Sequence, residues 1–136
     1  MTLLAEISAY LVTNSIGTSG TASANGWSIY LGKMTAAPDR QIGLFEYGGL
    51  PSELTHDKAM DEYPSLQIRV RAEQNGYSTG IAKAVAIRAL LHGLSNTTLT
   101  STKYKLIRAM NSPAYIGTDD KGRPEWTINF QIVKAP

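Results

Sequence analysis

The chain has 136 residues, of which 43% are hydrophobic and 18% charged, and it contains no cysteine. This size and composition predict one globular domain, residues 1–136, with a single core, and exclude a disordered protein. The net charge of +2 is too small to indicate a nucleic-acid-binding protein, and the lack of cysteine excludes disulfides and thiolate metal sites. No apolar run is long enough to cross a membrane and no signal-peptide pattern is present, so we expect the protein to fold in the cytosol of the cell that makes it.

The first half of the chain reads as one helix and two strands. Apolar residues at helical spacing predict a helix over residues 2–12, with Thr2 as its N-cap. A polar connection over residues 18–26 follows, and then strands over 27–33 and 41–47. The second strand has Ile42 and Leu44 on one face and Phe45 and Tyr47 on the other, and the sequence leaves open which of these pairs is buried. Residues 52–64 form a long connection for so small a domain, which indicates a functional loop.

The second half has the clearest patterns. Strict alternation of apolar and polar residues predicts a strand over residues 65–73. Apolar residues at helical spacing predict a helix over 78–92, with Gly93 and Leu94 closing that helix in a Schellman motif. A polar stretch over 95–102 leads into a hairpin with strands over 104–110 and 126–133. The hairpin connection, residues 112–124, is too elaborate for a plain turn and contains a charged turn over 119–124, so we expect its tip to contact another molecule.

The resulting order is α-β-β-β-α-β-β. It predicts an α+β fold, a mostly antiparallel sheet of four to five strands with the two helices packed on one face. The other face is expected to be exposed and to carry Arg69 and Arg71. Three interpretations of this pair are compatible with the sequence: a solvated strand face, a pairing surface between subunits, or a contact with a phosphate backbone.

Catalytic patterns are absent from the sequence. His56 and His92 are isolated, and although Asp57, Asp61 and Glu62 lie close to His56, a solvated charged loop explains them better than a metal site. His92 is expected at a helix C-terminus, where a cation is favoured. No nucleophile elbow, phosphate-binding glycine loop or calcium loop is present, so we predict neither an enzyme nor a bound cofactor.

The chain resembles the minor capsid or tail-completion proteins of tailed bacteriophages, whose better characterised relatives are the tail terminators. The resemblance is an ordered set of short segments, and none of them is a catalytic signature. It is strongest in the hairpin and runs through most of the chain, over residues 3–7, 11–12, 27–34, 44–49, 66–71, 91–94, 106–109, 112–113, 117, 119, 122–124 and 129–130.

The resemblance implies a tail-terminator-like fold and a structural, non-enzymatic role. Such proteins form a hexameric ring that caps the tail tube, stops its polymerisation and presents the docking surface for the head. The implied partners are further copies of the chain, the tail tube protein, a head-tail connector or stopper protein, and DNA that passes through the channel without sequence recognition. The implied location is the virion, at the interface of tail and head, after assembly in the host cytoplasm; no membrane is involved.

The charged residues of the long connections and of the polar strand faces are the candidate protein-interface residues. We expect the connections 52–64 and 112–124 to contact the tail tube or a neighbouring subunit. The candidates are Arg69, Arg71, Arg108, Asp119, Asp120, Lys121, Arg123, His56, Asp57, Asp61 and Glu62.

Two other functions compete with a tail terminator. A head-completion protein, acting as a stopper or connector, would sit on the head side of the joint. A small nucleic-acid-binding module would use the face that carries Arg69 and Arg71. The resemblance favours the tail terminator, and the other two functions are kept as alternatives.

Overall fold

The computed structural model describes residues 2–20, 26–52 and 60–136. Its elements, in chain order, are α1 (Leu3–Thr13), β1 (Thr18–Ser19), β2 (Ser28–Leu31), β3 (Gln41–Leu50), β4 (Tyr63–Arg71), α2 (Tyr77–Leu91), β5 (Leu94–Leu99), β6 (Thr102–Ala109), β7 (Ala114–Thr118) and β8 (Pro124–Lys134). No helix among these residues is long and apolar enough to span a membrane.

The eight strands form one mixed, curled sheet. Its order is β1-β2-β3-β4-β8-β6-β5, and β7 pairs with β8 beyond the end of β6. The β1–β2 and β2–β3 pairs are parallel, and the remaining pairs are antiparallel. Helix α1 contacts β1, β2 and β3 near one edge and also β5 at the other, so the sheet wraps around the helices. The α+β class is confirmed, whereas the prediction of a mostly antiparallel sheet of four to five strands is wrong.

The three unpredicted strands explain the error. Strand β5 lies in the polar stretch after α2, β7 in the hairpin connection, and β1 in the polar connection after α1. Each is short or polar and carries little alternation, so its backbone pairing is decided by the neighbouring strand. Strands β2 and β3 also depart from the predicted antiparallel arrangement: the connection over residues 32–40 carries the chain back so that they pair in parallel, with Ser28 opposite Gln41.

The core lies between the helices and one face of the sheet. Ile42 and Leu44 are fully buried there, which resolves the ambiguity of β3 and places Phe45 and Tyr47 on the opposite, outer face. Gly80 lets α2 approach the sheet closely, because a Cβ at that position would overlap the indole ring of Trp126. The largest core side chains on the central and hairpin strands are Leu66, Ile68, Tyr104, Ile107, Trp126 and Phe130.

The helix ends agree with the predictions in part. The Thr2 hydroxyl accepts a hydrogen bond from the backbone N–H of Ala5 at 3.2 Å, so the predicted N-cap of α1 is confirmed. Gly93 has the expected positive φ of +87°, but its N–H donates to the carbonyl of Ile107 on β6. The Schellman motif is therefore absent, because the chain turns directly from α2 into the sheet and the ladder takes that donor.

Candidate assembly surface

The predicted interface residues lie in four places. Asp119, Asp120, Lys121 and Arg123 form the turn between β7 and β8, which we call the hairpin corner (residues 119–123). Arg69 and Arg71 lie on β4, and Arg108 lies on β6. Asp61 and Glu62 precede β4, whereas His56 and Asp57 fall outside the described residues.

The hairpin corner is organised by the carboxylate of Asp119. One oxygen accepts the backbone N–H groups of Lys121 and Arg123 at 3.0 and 2.9 Å, and the other accepts the Arg123 side chain at 2.8 Å. Gly122, with φ +74°, donates its N–H to the carbonyl of Asp119 and completes the turn. Burial raises the pKa of Asp119, but the hydrogen bonds from Arg123 and Lys121 outweigh burial, so the pKa lies below its usual value. The charged turn predicted from the sequence is confirmed.

The corner is tied to the connection between β2 and β3. The side chain of Arg123, only 4% exposed, donates to the carbonyl of Ala36 at 2.6 Å and pairs with Asp39 at 3.1 Å. Arg71, only 5% exposed, donates to three carbonyls of the same connection, those of Thr35, Pro38 and Asp39. We call the two arginines and residues 35–39 the arginine brace.

The brace corrects one structural expectation. Arg71 was expected on an exposed face beside Arg69, but the connection between β2 and β3 folds over it and uses its donors. Burial lowers the pKa of Arg71, and the nearby charge of Arg123 lowers it further. Carbonyl oxygens and the carboxylates of Asp119, Glu125 and Asp39 compensate the buried charge.

The outer face of the sheet contains a hollow of about 470 Å³. We call it the outer-face hollow, and it is lined by Phe45, Tyr47, Gln67, Arg69 and Asn129. Tyr47 is exposed, and the guanidinium of Arg69 lies 5.9 Å from the centre of the Phe45 ring. The Nε atom of Arg69 is buried and has no hydrogen-bond partner among the described residues. The hollow therefore combines aromatic and amide side chains with an arginine that has no ion pair in the described part of the chain.

A second, smaller hollow of about 220 Å³ adjoins the far ends of β3, β4, β6 and β8. Its lining residues are Leu50, Tyr63, Leu106, Arg108, Gln131 and Val133. Arg108 is exposed, and its guanidinium donates a hydrogen bond to the Met110 sulfur at 3.7 Å. Leu50 and Leu106 are also exposed, so this part of the sheet is apolar with one available cation.

Asp61 and Glu62 are tied to the C-terminal strands. Asp61 pairs with Lys105 at 2.9 Å and Glu62 with Lys134 at 3.5 Å, and the backbones of Glu62 and Lys134 exchange two hydrogen bonds of 2.9 Å. The last part of the long connection is thereby fixed to the end of β8. Exposed pairs of this kind contribute little to stability, and their carboxylates remain accessible to a partner.

The structure brings together residues that the sequence left apart. The convergence of Arg71, Arg123 and residues 35–39 had no sequence signal beyond a charged residue at the end of an apolar strand. Among the described residues, no three histidine, aspartate or glutamate side chains gather into a site for a metal ion. The described surface instead carries aromatic side chains, arginines and a rigid charged corner, which are features typical of protein–protein contacts.

Comparison with known proteins agrees with the resemblance read from the sequence. Residues 10–136 match the family model described as "Bacteriophage tail terminator protein". A chain from a solved structure titled "Virion of native gene transfer agent (GTA) particle" is similar with a TM-score of 0.65 and 12% identity, over 98% of this chain and 95% of that one. At that identity the likeness establishes the fold alone. Comparison with curated protein sequences gives no significant match.

Proposed function

Because the chain belongs to the bacteriophage tail terminator family, we propose that it forms a ring that caps the tail tube, ends tail polymerisation and provides the surface on which the head docks. The observation that carries the proposal is the family match over residues 10–136. The matched region includes the last turn of α1, the whole of α2 and the whole hairpin. The role is that of a structural protein of the phage tail, without catalysis.

The proposed ring is a homohexamer. Each subunit contacts the next through two different surfaces, because head-to-tail contacts close into a ring when the rotation between subunits allows it. One side of the ring rests on the tail tube protein, and the other receives the connector or stopper protein of the head. DNA passes through the channel without sequence recognition, and the low net charge of +2 agrees with a wall that does not retain phosphates. We place the ring at the head-tail interface of the virion, after assembly in the host cytoplasm.

We propose the exposed and half-buried candidates as the contact residues. These are Asp120 and Lys121 at the hairpin corner, Arg69 and Arg108 on the outer face, and Asp61 and Glu62 beside β8. The remaining described candidates, Arg71, Asp119 and Arg123, hold the corner in place through internal bonds. Their contribution to an interface is to position it.

Reconstitution on tail tubes tests the ring directly. Purified protein is added to isolated tail tubes that lack a cap, and tube ends are imaged by electron microscopy. We expect one ring per capped end and no further addition of tube protein at that end. Uncapped tubes that keep growing at the same rate in the presence of saturating protein would contradict the proposal.

A further inference from the structure

We infer that the outer-face hollow of one subunit receives the hairpin corner of the neighbouring subunit, with the carboxylate of Asp120 paired to Arg69. The inference rests on the proposed ring and deepens it by naming the two surfaces that meet. The occupant is therefore a second copy of this chain, bound through a carboxylate.

The hollow has the chemistry of a carboxylate site. Arg69 lines the hollow and forms no ion pair within the described part of the chain, and a guanidinium is best matched by a planar carboxylate. The residues that line the hollow are aromatic, amide or cationic, and none of them carries a negative charge. The occupant that complements this hollow brings the missing carboxylate and covers the aromatic rings.

The corner presents such a carboxylate on a rigid support. Asp120 is exposed and forms no ion pair with another described residue, whereas Asp119 beside it is held by three hydrogen bonds. The arginine brace fixes the corner to residues 35–39, so little conformational freedom is lost when the corner binds. Asp39, whose side chain is 58% exposed, adds a second carboxylate nearby, and Lys121 is the only exposed cation of the corner.

No ion pair joins Asp120 to Arg69 within the described part of one subunit, and the brace fixes the corner against residues 35–39. Arg69 lies two residues from Arg71 along β4, about 7 Å at the usual rise of a strand, and the hollow extends from Arg69 to Tyr47, away from the register level of Arg71. The pairing is therefore one between two subunits. Because they are different surfaces, the contact is head-to-tail, as a closed ring requires.

Charge exchange on tail tubes tests the pairing. Arg69→Glu and Asp120→Arg should each reduce the fraction of ring-capped tube ends about tenfold, because each places like charges together. The double variant should recover to within about threefold of the unmodified protein. Lys103→Glu is the matched control, since Lys103 is exposed with no side-chain contact in the described structure, and it should assemble normally. Circular dichroism verifies that each variant is folded, and Arg69→Gln serves as a milder variant if Arg69→Glu is not.

Cross-linking between subunits gives an independent readout, because the chain contains no cysteine. Tube-bound rings are made from an equal mixture of Arg69→Cys and Asp120→Cys proteins and treated with a short bis-maleimide. We expect cross-linked dimers in the mixture and none when either variant is used alone. A mixture of Lys103→Cys and Asp120→Cys proteins should give none.

The outcomes separate this inference from the proposed function. Rings that form normally with Arg69→Glu or Asp120→Arg would overturn the pairing and leave the ring intact, as would single defects that the double variant does not repair. Loss of tube binding with Arg69→Glu alone would assign the hollow to the tube protein and also overturn the pairing. Absence of rings with the unmodified protein would overturn the proposed function and this inference with it.

Discussion

Glu6 is a buried acid that joins α1 to the turn between β5 and β6. Its carboxylate accepts the Tyr104 hydroxyl at 2.9 Å and the backbone N–H of Ser101 at 3.2 Å. Burial raises the pKa of Glu6, but hydrogen bonds from Thr102, Tyr104 and Ser101 lower it by more, so the pKa lies below that of an ordinary glutamate. Burial, and then the bond to Glu6, raises the pKa of Tyr104. The carboxylate is therefore bound in its charged form.

Replacing this acid by its amide should destabilise the protein in a pH-dependent way. Because the folded pKa of Glu6 is lowered, its contribution is complete above the pKa of an unfolded glutamate and is lost as the pH falls through the folded pKa. We expect Glu6→Gln to lower the free energy of unfolding by about 2 kcal/mol at neutral pH, and the difference to narrow below the ordinary pKa of glutamate. Urea unfolding at a series of pH values measures it.

A matched control separates this effect from general acid denaturation. Glu46 is an exposed glutamate on β3, and Glu46→Gln should change the free energy of unfolding by less than about 0.5 kcal/mol. A difference between unmodified protein and Glu6→Gln that stays constant from acidic to neutral pH would show that the charge of Glu6 is not what stabilises the turn.

At the scale of elements, the arginine brace joins two connections that are far apart in the sequence. Arg123 spans the carboxylate of Asp119 and the carbonyl of Ala36, and Arg71 supports the same connection from β4. A guanidinium suits this position because its fixed fork of donors serves several acceptors at once, which a lysine does not. The hairpin corner and residues 35–39 are thus expected to move as one unit.

Removing Arg123 should loosen both connections together. Arg123→Ala removes the side-chain donor from one carboxylate oxygen of Asp119, from the Ala36 carbonyl and from Asp39, so we expect a loss of about 3 kcal/mol in the free energy of unfolding. Amide hydrogen exchange should accelerate at residues 35–39 as well as at the corner. The exposed neighbour provides the control: Lys121→Ala should leave stability within about 0.5 kcal/mol and exchange unchanged. Faster exchange at the corner alone would contradict the brace.

The elements that the sequence predicted are those with a strong hydrophobic period. Both helices and strands β2, β3, β4, β6 and β8 are recognisable because apolar side chains repeat along each of them. Strands β1, β5 and β7 are not, because a strand at the edge of a sheet is fixed by its neighbour and needs little apolar surface of its own. The parallel pairing of β2 and β3 depends on the path of residues 32–40, and the hydrophobic pattern of the sequence does not predict that path.

In the candidate site, too, locally determined features were predictable from the sequence and features that depend on distant segments were not. The charged turn of the hairpin was readable because aspartate and glycine at those positions have local reasons to form a turn. The burial of Arg71 and Arg123 was not, because it depends on a connection from elsewhere in the chain folding over them. Nor was the position of Phe45 on the outer face, since both faces of β3 carry large apolar side chains.

At the scale of the whole molecule, the family and the fold agree on a structural protein of the phage tail. The family match extends over residues 10–136, and the fold similarity to a chain of a gene transfer agent particle extends over 98% of the chain, so neither depends on a single residue or motif.

The length of the tails tests the central claim most directly. A phage in which the gene for this chain is deleted is grown, and the tails are measured by electron microscopy. A tail terminator predicts tails of variable and excessive length that do not join heads, with normal length restored when the protein is supplied in trans. Tails of normal length together with filled heads that leak DNA would contradict the account and assign the protein to the head side of the joint.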